Sequence, residues 1–145
     1  MATTPCVREI IQRDRPLVGA PEDTVGAAAA RMAEHYCGSI LVCAGAELRG
    51  IFTERDVLAR VVAAGRDPAR TRLEEVMTPD PKTIEGSAPV AEAVRRMDEG
   101  CYRHLPVLEG GRILGVISWR DVPLEIVDRL HPELERRHAL AERIW

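Results

Sequence analysis

The sequence predicts an α/β fold made of two β-α-β-β-α units packed face to face. Three observations predict it. The 145-residue chain aligns with itself at a single offset, without a gap, from Pro16 to Val127. Each copy carries one apolar stripe at helical spacing. Each copy also carries two apolar runs joined by a glycine-bearing connector, the pattern of a hairpin.

The offset is 65 residues. It pairs Asp56 with Asp121, Gly50 with Gly115, Pro16 with Pro81, Val25 with Val90, Met32 with Met97, Val42 with Val107 and Val57 with Val122. A chance match does not hold one register over that length at glycine, aspartate and apolar positions together, and a fixed-period repeat is read as architecture.

The elements follow in order within each copy. A short extended piece opens it, Arg15-Pro16-Leu17-Val18 or Pro81-Lys82-Thr83-Ile84. An amphipathic helix comes next, with Val25, Ala28, Ala29 and Met32 on one stripe and Val90, Ala93, Val94 and Met97 on the other. Methionine at these places fills core space. The hairpin runs are Ser39 to Cys43 with Leu48 to Phe52, and Leu105 to Leu108 with Ile113 to Ile117. A second helix closes each copy, carrying Val57, Leu58, Val61 and Val62, or Val122, Ile126, Val127 and Leu130. Pro123 falls inside that helix, where it is expected to kink or tighten it.

A unit of about 50–55 residues has a marginal core alone, and two copies in contact remedy that. The linker Gly65 to Arg70 separates them, and Thr71-Arg72-Leu73-Glu74 reads as a capping box opening a short helix through Met77. The expected division is 7–65 for the first module, 66–130 for the second with its lead-in helix, and 131–145 for a charged helical extension. On that extension Leu134, Ala141 and Trp145 share a face, while Arg136, Arg137, Glu142 and Arg143 stay solvated.

Composition excludes several function classes. Aromatics are 3% of the chain, too few for a base-stacking platform along single-stranded nucleic acid. The net charge is -3 with basic residues scattered, so no nucleic-acid footprint is expected. No run approaches the ~20 apolar residues of a membrane span. Met1 to Cys6 has no apolar signal core, so a cytoplasmic protein is expected. Cys6, Cys37, Cys43 and Cys101 form no CxxC pair, which leaves zinc little support and four free thiols as the expectation. His35, His104, His131 and His138 are dispersed, and no nucleophile is paired with a base, so no enzyme and no catalytic cofactor are expected.

One motif carries chemistry, and it occurs twice: Gly50-Ile51-Phe52-Thr53-Glu54-Arg55-Asp56 and Gly115-Val116-Ile117-Ser118-Trp119-Arg120-Asp121. Each sits where a strand ends and a helix begins. Thr53 with Asp56, and Ser118 with Asp121, resemble capping boxes, which contribute about 1 kcal/mol and imply nothing more. The same geometry also suits a nucleotide. A helix start presents free N–H groups to a phosphate, and a carboxylate one turn on accepts hydrogen bonds from two ribose hydroxyls. The glycine would let a flat base approach the backbone. Arg55 and Arg120 add charge for a phosphate.

The paired pattern inside a gapless β-α-β-β-α repeat resembles the CBS family, the small modules named after cystathionine β-synthase, from about Val7 to Leu130. The resemblance implies two modules in pseudo-two-fold symmetry with two clefts that take adenosine ligands: AMP, ADP, ATP, NAD or S-adenosylmethionine. It places Asp56 and Asp121 on ribose hydroxyls, and Thr53 and Ser118 on phosphate or ribose oxygens. Leu17, Val18, Lys82 and Thr83 would line the base. Tyr102, Arg103, His104 and Pro106 would complete one cleft, with Arg103 and His104 toward a phosphate. Gly38 and Ser39 hold the matching places in the first copy, where the family's basic residue and proline are missing, so unequal clefts are expected.

The function expected is a nucleotide sensor acting on an unknown regulated protein, commonly as a homodimer, for which a symmetric pair is the default. The alternative is a structural or interaction scaffold with unoccupied clefts, working through its C-terminal helix.

Overall fold

The computed structural model describes residues 4–11 and 16–144, with side chains through residue 139. The parts expected of Arg15 and Trp145, and of the side chains of Ala141, Glu142 and Arg143, lie outside the described residues.

The elements in chain order are α1 (Val7–Ile10), β1 (Val18–Gly19), α2 (Val25–Glu34), β2 (Ser39–Ala44), β3 (Glu47–Thr53) and α3 (Glu54–Asp56), which runs into a π-helical stretch Val57–Val62. Then come α4 (Leu73–Val76), β4 (Thr78–Pro79), β5 (Ile84–Glu85), α5 (Val90–Gly100), β6 (His104–Glu109), β7 (Arg112–Ser118), a 3-10 turn Trp119–Asp121, and α6 (Leu124–Ile144). One sheet has the order β1-β2-β3-β4 and the other β5-β6-β7.

The repeat seen in the residues holds in the backbone. The hairpin β2–β3 pairs Val42 with Gly50 and slips register at Val42/Cys43. The hairpin β6–β7 pairs Val107 with Gly115 and slips at Val107/Leu108. Tyr36 and Cys101, 65 residues apart, both take the left-handed conformation at the end of their helices, with φ of 53° and 55°. The second copy's parallel strand starts one residue late. In the first copy the Leu41 N–H donates to Leu17 O at 2.9 Å. Pro106 stands at the matching position and has no N–H to donate, so pairing begins at Ile84 with Val107.

The expected helical stripes are core except at Ala29, which is half-buried and lines a cleft. Val25, Ala28 and Met32 are buried in one copy, and Val90, Ala93, Val94 and Met97 in the other. Between the two sheets, Leu41, Cys43 and Ile51 of the first pack against Ile113 and Val116 of the second. This is the face-to-face contact expected of two marginal units. The short lead-in helices are exchanged. Val7 of α1 is buried with the second copy's Ile84, Val90 and Val107, while Leu73 and Val76 of α4 are buried with the first copy's Val25, Ile40 and Phe52.

Several local expectations change. The π-helical stretch closes i→i+5 bonds, the Ala63 N–H donating to Leu58 O at 2.9 Å. That winding breaks the expected stripe: Val61 is buried, but Leu58 and Val62 are 65% and 63% exposed. Pro123 lies before α6 and not inside it, its carbonyl accepting from the Ile126 and Val127 N–H groups. The second copy's closing helix and the extension are one continuous helix, with Pro132 inside it. The α4 cap is shifted by one residue. Glu75, not Glu74, reaches back to the Arg72 N–H at 2.7 Å, and the Thr71 hydroxyl instead donates to Asp67 O at 2.8 Å.

The cysteines are free thiols, with Cys43 buried, Cys6 half-buried and Cys37 and Cys101 exposed. Burial pushes the Cys43 thiol pKa up. Among the described residues no helix is long and apolar enough to cross a membrane.

Candidate ligand-binding cleft

The two motif turns open with the same backbone angles and then part, Val57 continuing helical and Val122 turning extended. Thr53 has φ -124° and ψ 167°, and Ser118 has φ -123° and ψ 166°. Each carboxylate caps its own turn. Asp56 Oδ2 accepts from the Thr53 N–H at 2.9 Å and from its hydroxyl at 3.1 Å. Asp121 Oδ2 accepts from the Ser118 N–H at 2.8 Å and from its hydroxyl at 3.2 Å. The capping role is therefore real in both copies, and it uses one oxygen of each carboxylate.

The other oxygen separates them. Asp56 Oδ1 lies 3.5 Å from Arg60 Nε. That arginine is itself tied down, its Nη1 donating to Val76 O at 3.2 Å and Met77 O at 2.9 Å. Asp121 has no ion pair among the described residues, and it lines an open cleft of about 630 Å³.

The cleft is built across the two copies. The first contributes Leu17, Gly38, Ser39 and Glu54, and the second contributes Arg103, His104, Ser118, Arg120 and Asp121. The face-to-face contact joins the base-side segment of one copy to the motif turn of the other. Apolar wall comes from Ala29, Met32, Ala33 and Val57. Thr53, Arg55, Asp56, Val18, Lys82, Thr83, Tyr102 and Pro106 do not line it. Arg55 reaches Cys101 O at 3.4 Å, Pro106 is buried in its sheet, and Tyr102 faces a neighbouring cavity.

Gly38 makes the crossing possible. A β-carbon there would lie 2.9 Å from His104 Nε2 and 3.3 Å from Glu54 Oε1. The glycine gives up its side chain so that the imidazole of one copy reaches the other. Burial holds the His104 pKa below its ordinary value; Glu54 and Asp121 pull it up, and Arg103 and Arg120 push it down. Gly50 has a different use from the one expected. A β-carbon on it would meet Met77 Cγ and Thr78 O, each at 2.9 Å, so it admits the chain's own β4 and not a base.

Sequence reasoning missed Tyr36, Glu54 and Trp119, all on the cleft wall. It also missed Arg31 and Arg96, which donate to Val18 O and Thr83 O, each at 2.8 Å, and so hold the base-side segments in place. These two arginines are 65 residues apart. The repeat offset was the signal that would have found them. Among the described residues no group of three or more His, Cys, Asp or Glu side chains could hold a metal ion.

Residues 7–63 and 73–127 each match the CBS domain family. The chain belongs to the CBS-domain family. It is 33% identical over 127 residues to the CBS domain-containing protein CBSCBSPB2 of Arabidopsis thaliana, covering 84% of this chain. It spans 24% of that plant protein's length, and 21% and 16% of two further Arabidopsis CBS proteins. A solved CBS-domain protein of Burkholderia ambifaria is 35% identical, with TM-score 0.74 over 86% of this chain and 90% of that one. A CBS domain protein of Pyrobaculum aerophilum, solved with AMP, has TM-score 0.78 over 88% and 98% of the two chains; at 24% identity this likeness concerns the fold. The architecture is thus a tandem CBS pair, and the cleft lies between its two CBS modules.

Proposed function

We propose that this CBS pair is a regulatory module that binds an adenosine nucleotide, of the AMP, ADP, ATP, NAD or S-adenosylmethionine class, in the cleft between its modules, and catalyses no reaction. The observation that carries the reading is Asp121. It keeps one carboxylate oxygen for its cap and turns toward a cleft of about 630 Å³, where a ribose diol can donate to the other oxygen. Arg103 and Arg120 line the same cleft without an ion-pair partner among the described residues. They supply charge for a phosphate, and the Leu17, Ala29 and Met32 wall supplies an apolar seat for the base.

The reading further takes the chain to act through a regulated protein as a homodimer, with Leu58 and Val62 as exposed apolar residues available to a second copy.

The experiment is thermal shift and calorimetry with the five ligands. A ligand at 100 times its dissociation constant raises stability by about 2.7 kcal/mol. Asp121→Ala is expected to abolish the shift, while Asp56→Ala lowers stability but keeps ligand affinity, and the stoichiometry is one per chain. No shift with any ligand on folded protein favours the second reading, a scaffold with unoccupied clefts. The Asp56 side favours that reading, since both of its carboxylate oxygens are engaged by the chain itself.

A further inference from the structure

A second cavity of about 430 Å³ adjoins the cleft, where the later turns of α6 lie over the end of α5. Tyr102, Arg137 and His138 line this cavity and not the cleft; Arg103 and Trp119 line both. The two shared residues are bonded to each other, the Trp119 N–H donating to Arg103 O at 3.2 Å. Each hollow falls within the roughly 300–1,000 Å³ typical of small-molecule sites.

The side chains around the junction are unusual for this chain. It has five aromatic residues. Phe52 is buried, Trp145 lies outside the described residues, and the other three face these hollows: Tyr36 on the cleft, Tyr102 on the cavity, Trp119 on both. Tyr36 is 88% exposed at the rim, so core filling does not account for it. The cations divide as well. Inside the cavity Arg137 Nη1 sits 2.8 Å from Glu99 Oε1, and His138 Nε2 sits 2.8 Å from Asp98 Oδ1. Arg103, between the two hollows, has no such partner among the described residues.

We propose that cleft and cavity form one extended site for a dinucleotide, two nucleosides joined through phosphates. This rests on the nucleotide reading above. One nucleoside occupies the cleft against Asp121. The linking phosphates pass Arg103, whose guanidinium forks match phosphate oxygens. The second ring stacks against Trp119 and Tyr102, where offset or edge contacts between flat rings are favourable. A mononucleotide leaves the cavity unused. A triphosphate reaches Arg103 but offers no ring to the aromatic pair.

The test is calorimetry on the full chain with AMP, ATP, NAD and diadenosine tetraphosphate. Wild type is expected to bind at least one dinucleotide about tenfold or more tighter than AMP and ATP, a gap of about 1.4 kcal/mol or more. In Tyr102→Ala and in Tyr102→Leu, which take the stacking ring out of the cavity without touching the cleft, that margin is expected to vanish while AMP affinity stays unchanged, which also shows that each variant is folded. Dinucleotides binding no tighter than ATP, or a margin surviving in both variants, overturns the extended site and leaves the nucleotide cleft standing. No binding of AMP or of any dinucleotide to wild type overturns both.

Discussion

Asp56 and Asp121 carry the same motif and each caps a hydroxyl residue with the same backbone angles, yet only Asp121 lines the cleft; beyond the aspartates the backbones part, Val57 staying helical and Val122 turning extended. The difference at the second carboxylate oxygen traces to a neighbour. Arg60 lies 3.5 Å from Asp56 Oδ1, and the residue 65 positions on is Glu125, which cannot make that pair. The motif was legible in the sequence; which carboxylate had its second oxygen engaged was not, because that depends on a residue outside the motif. His104 shows the same limit. Its place in the cleft was expected, but its reach across to Gly38 and Glu54 depends on how the copies meet. Burial holds its pKa down in the folded protein, whereas the unfolded chain protonates it near ~6.5. Between those two values the unfolded state binds more protons, so stability falls as pH drops from about 6.5 to the lowered folded value and then levels off. Thermal unfolding between pH 8 and 5 is expected to show a steeper loss for wild type than for His104→Asn. Parallel curves sink the assignment.

At the scale of elements, the sequence gives a strand or helix its phase but not its partner. The stripes of α2 and α5 were read correctly apart from Ala29, because helical spacing alone predicts which side is buried. The π-helical stretch escaped because no residue pattern announces i→i+5 bonding, and its stripe was read at the wrong phase. The Pro123 error has a simple cause: apolar spacing continues through Val122 and Ile126, but the missing N–H suits a helix start better than its interior. Gly50 was legible as a conserved feature of the two copies and misread in purpose, since the strand that crowds it, β4, is only two residues long and left no pattern. The close approach makes a prediction. Gly50→Ala drives a methyl into Met77 and the Thr78 carbonyl, where the backbone atom cannot yield as a flexible side chain can. Overpacking of this kind costs about 1–3 kcal/mol. Chemical denaturation is expected to show that loss for Gly50→Ala, with a smaller one for Gly45→Ala, where no atom lies within 4 Å of the new methyl and the cost is its positive φ. Equal losses at both glycines refute the crowding argument.

For the molecule as a whole, the exchange of lead-in helices decides how it unfolds. Val7 completes the second module's core, and Leu73 and Val76 complete the first module's. Each module therefore depends on a helix that precedes the other in the chain. Hydrophobic patterning could not reveal this, because it marks a face as buried without naming what covers it. The sheet-to-sheet cluster of Leu41, Cys43, Ile51, Ile113 and Val116 adds a second set of contacts that neither module can satisfy alone. Losing one module thus exposes apolar surface on the other, and a half-folded state is penalised twice. The chain is expected to unfold in one cooperative step, with calorimetric and van't Hoff enthalpies in agreement and far-UV circular dichroism and tryptophan fluorescence changing together. Residues 1–65 alone, lacking α4, are expected to show no cooperative transition. Two separated transitions in the full chain, or a folded 1–65 piece, mean that the exchanged helices are decoration on two modules that stand by themselves.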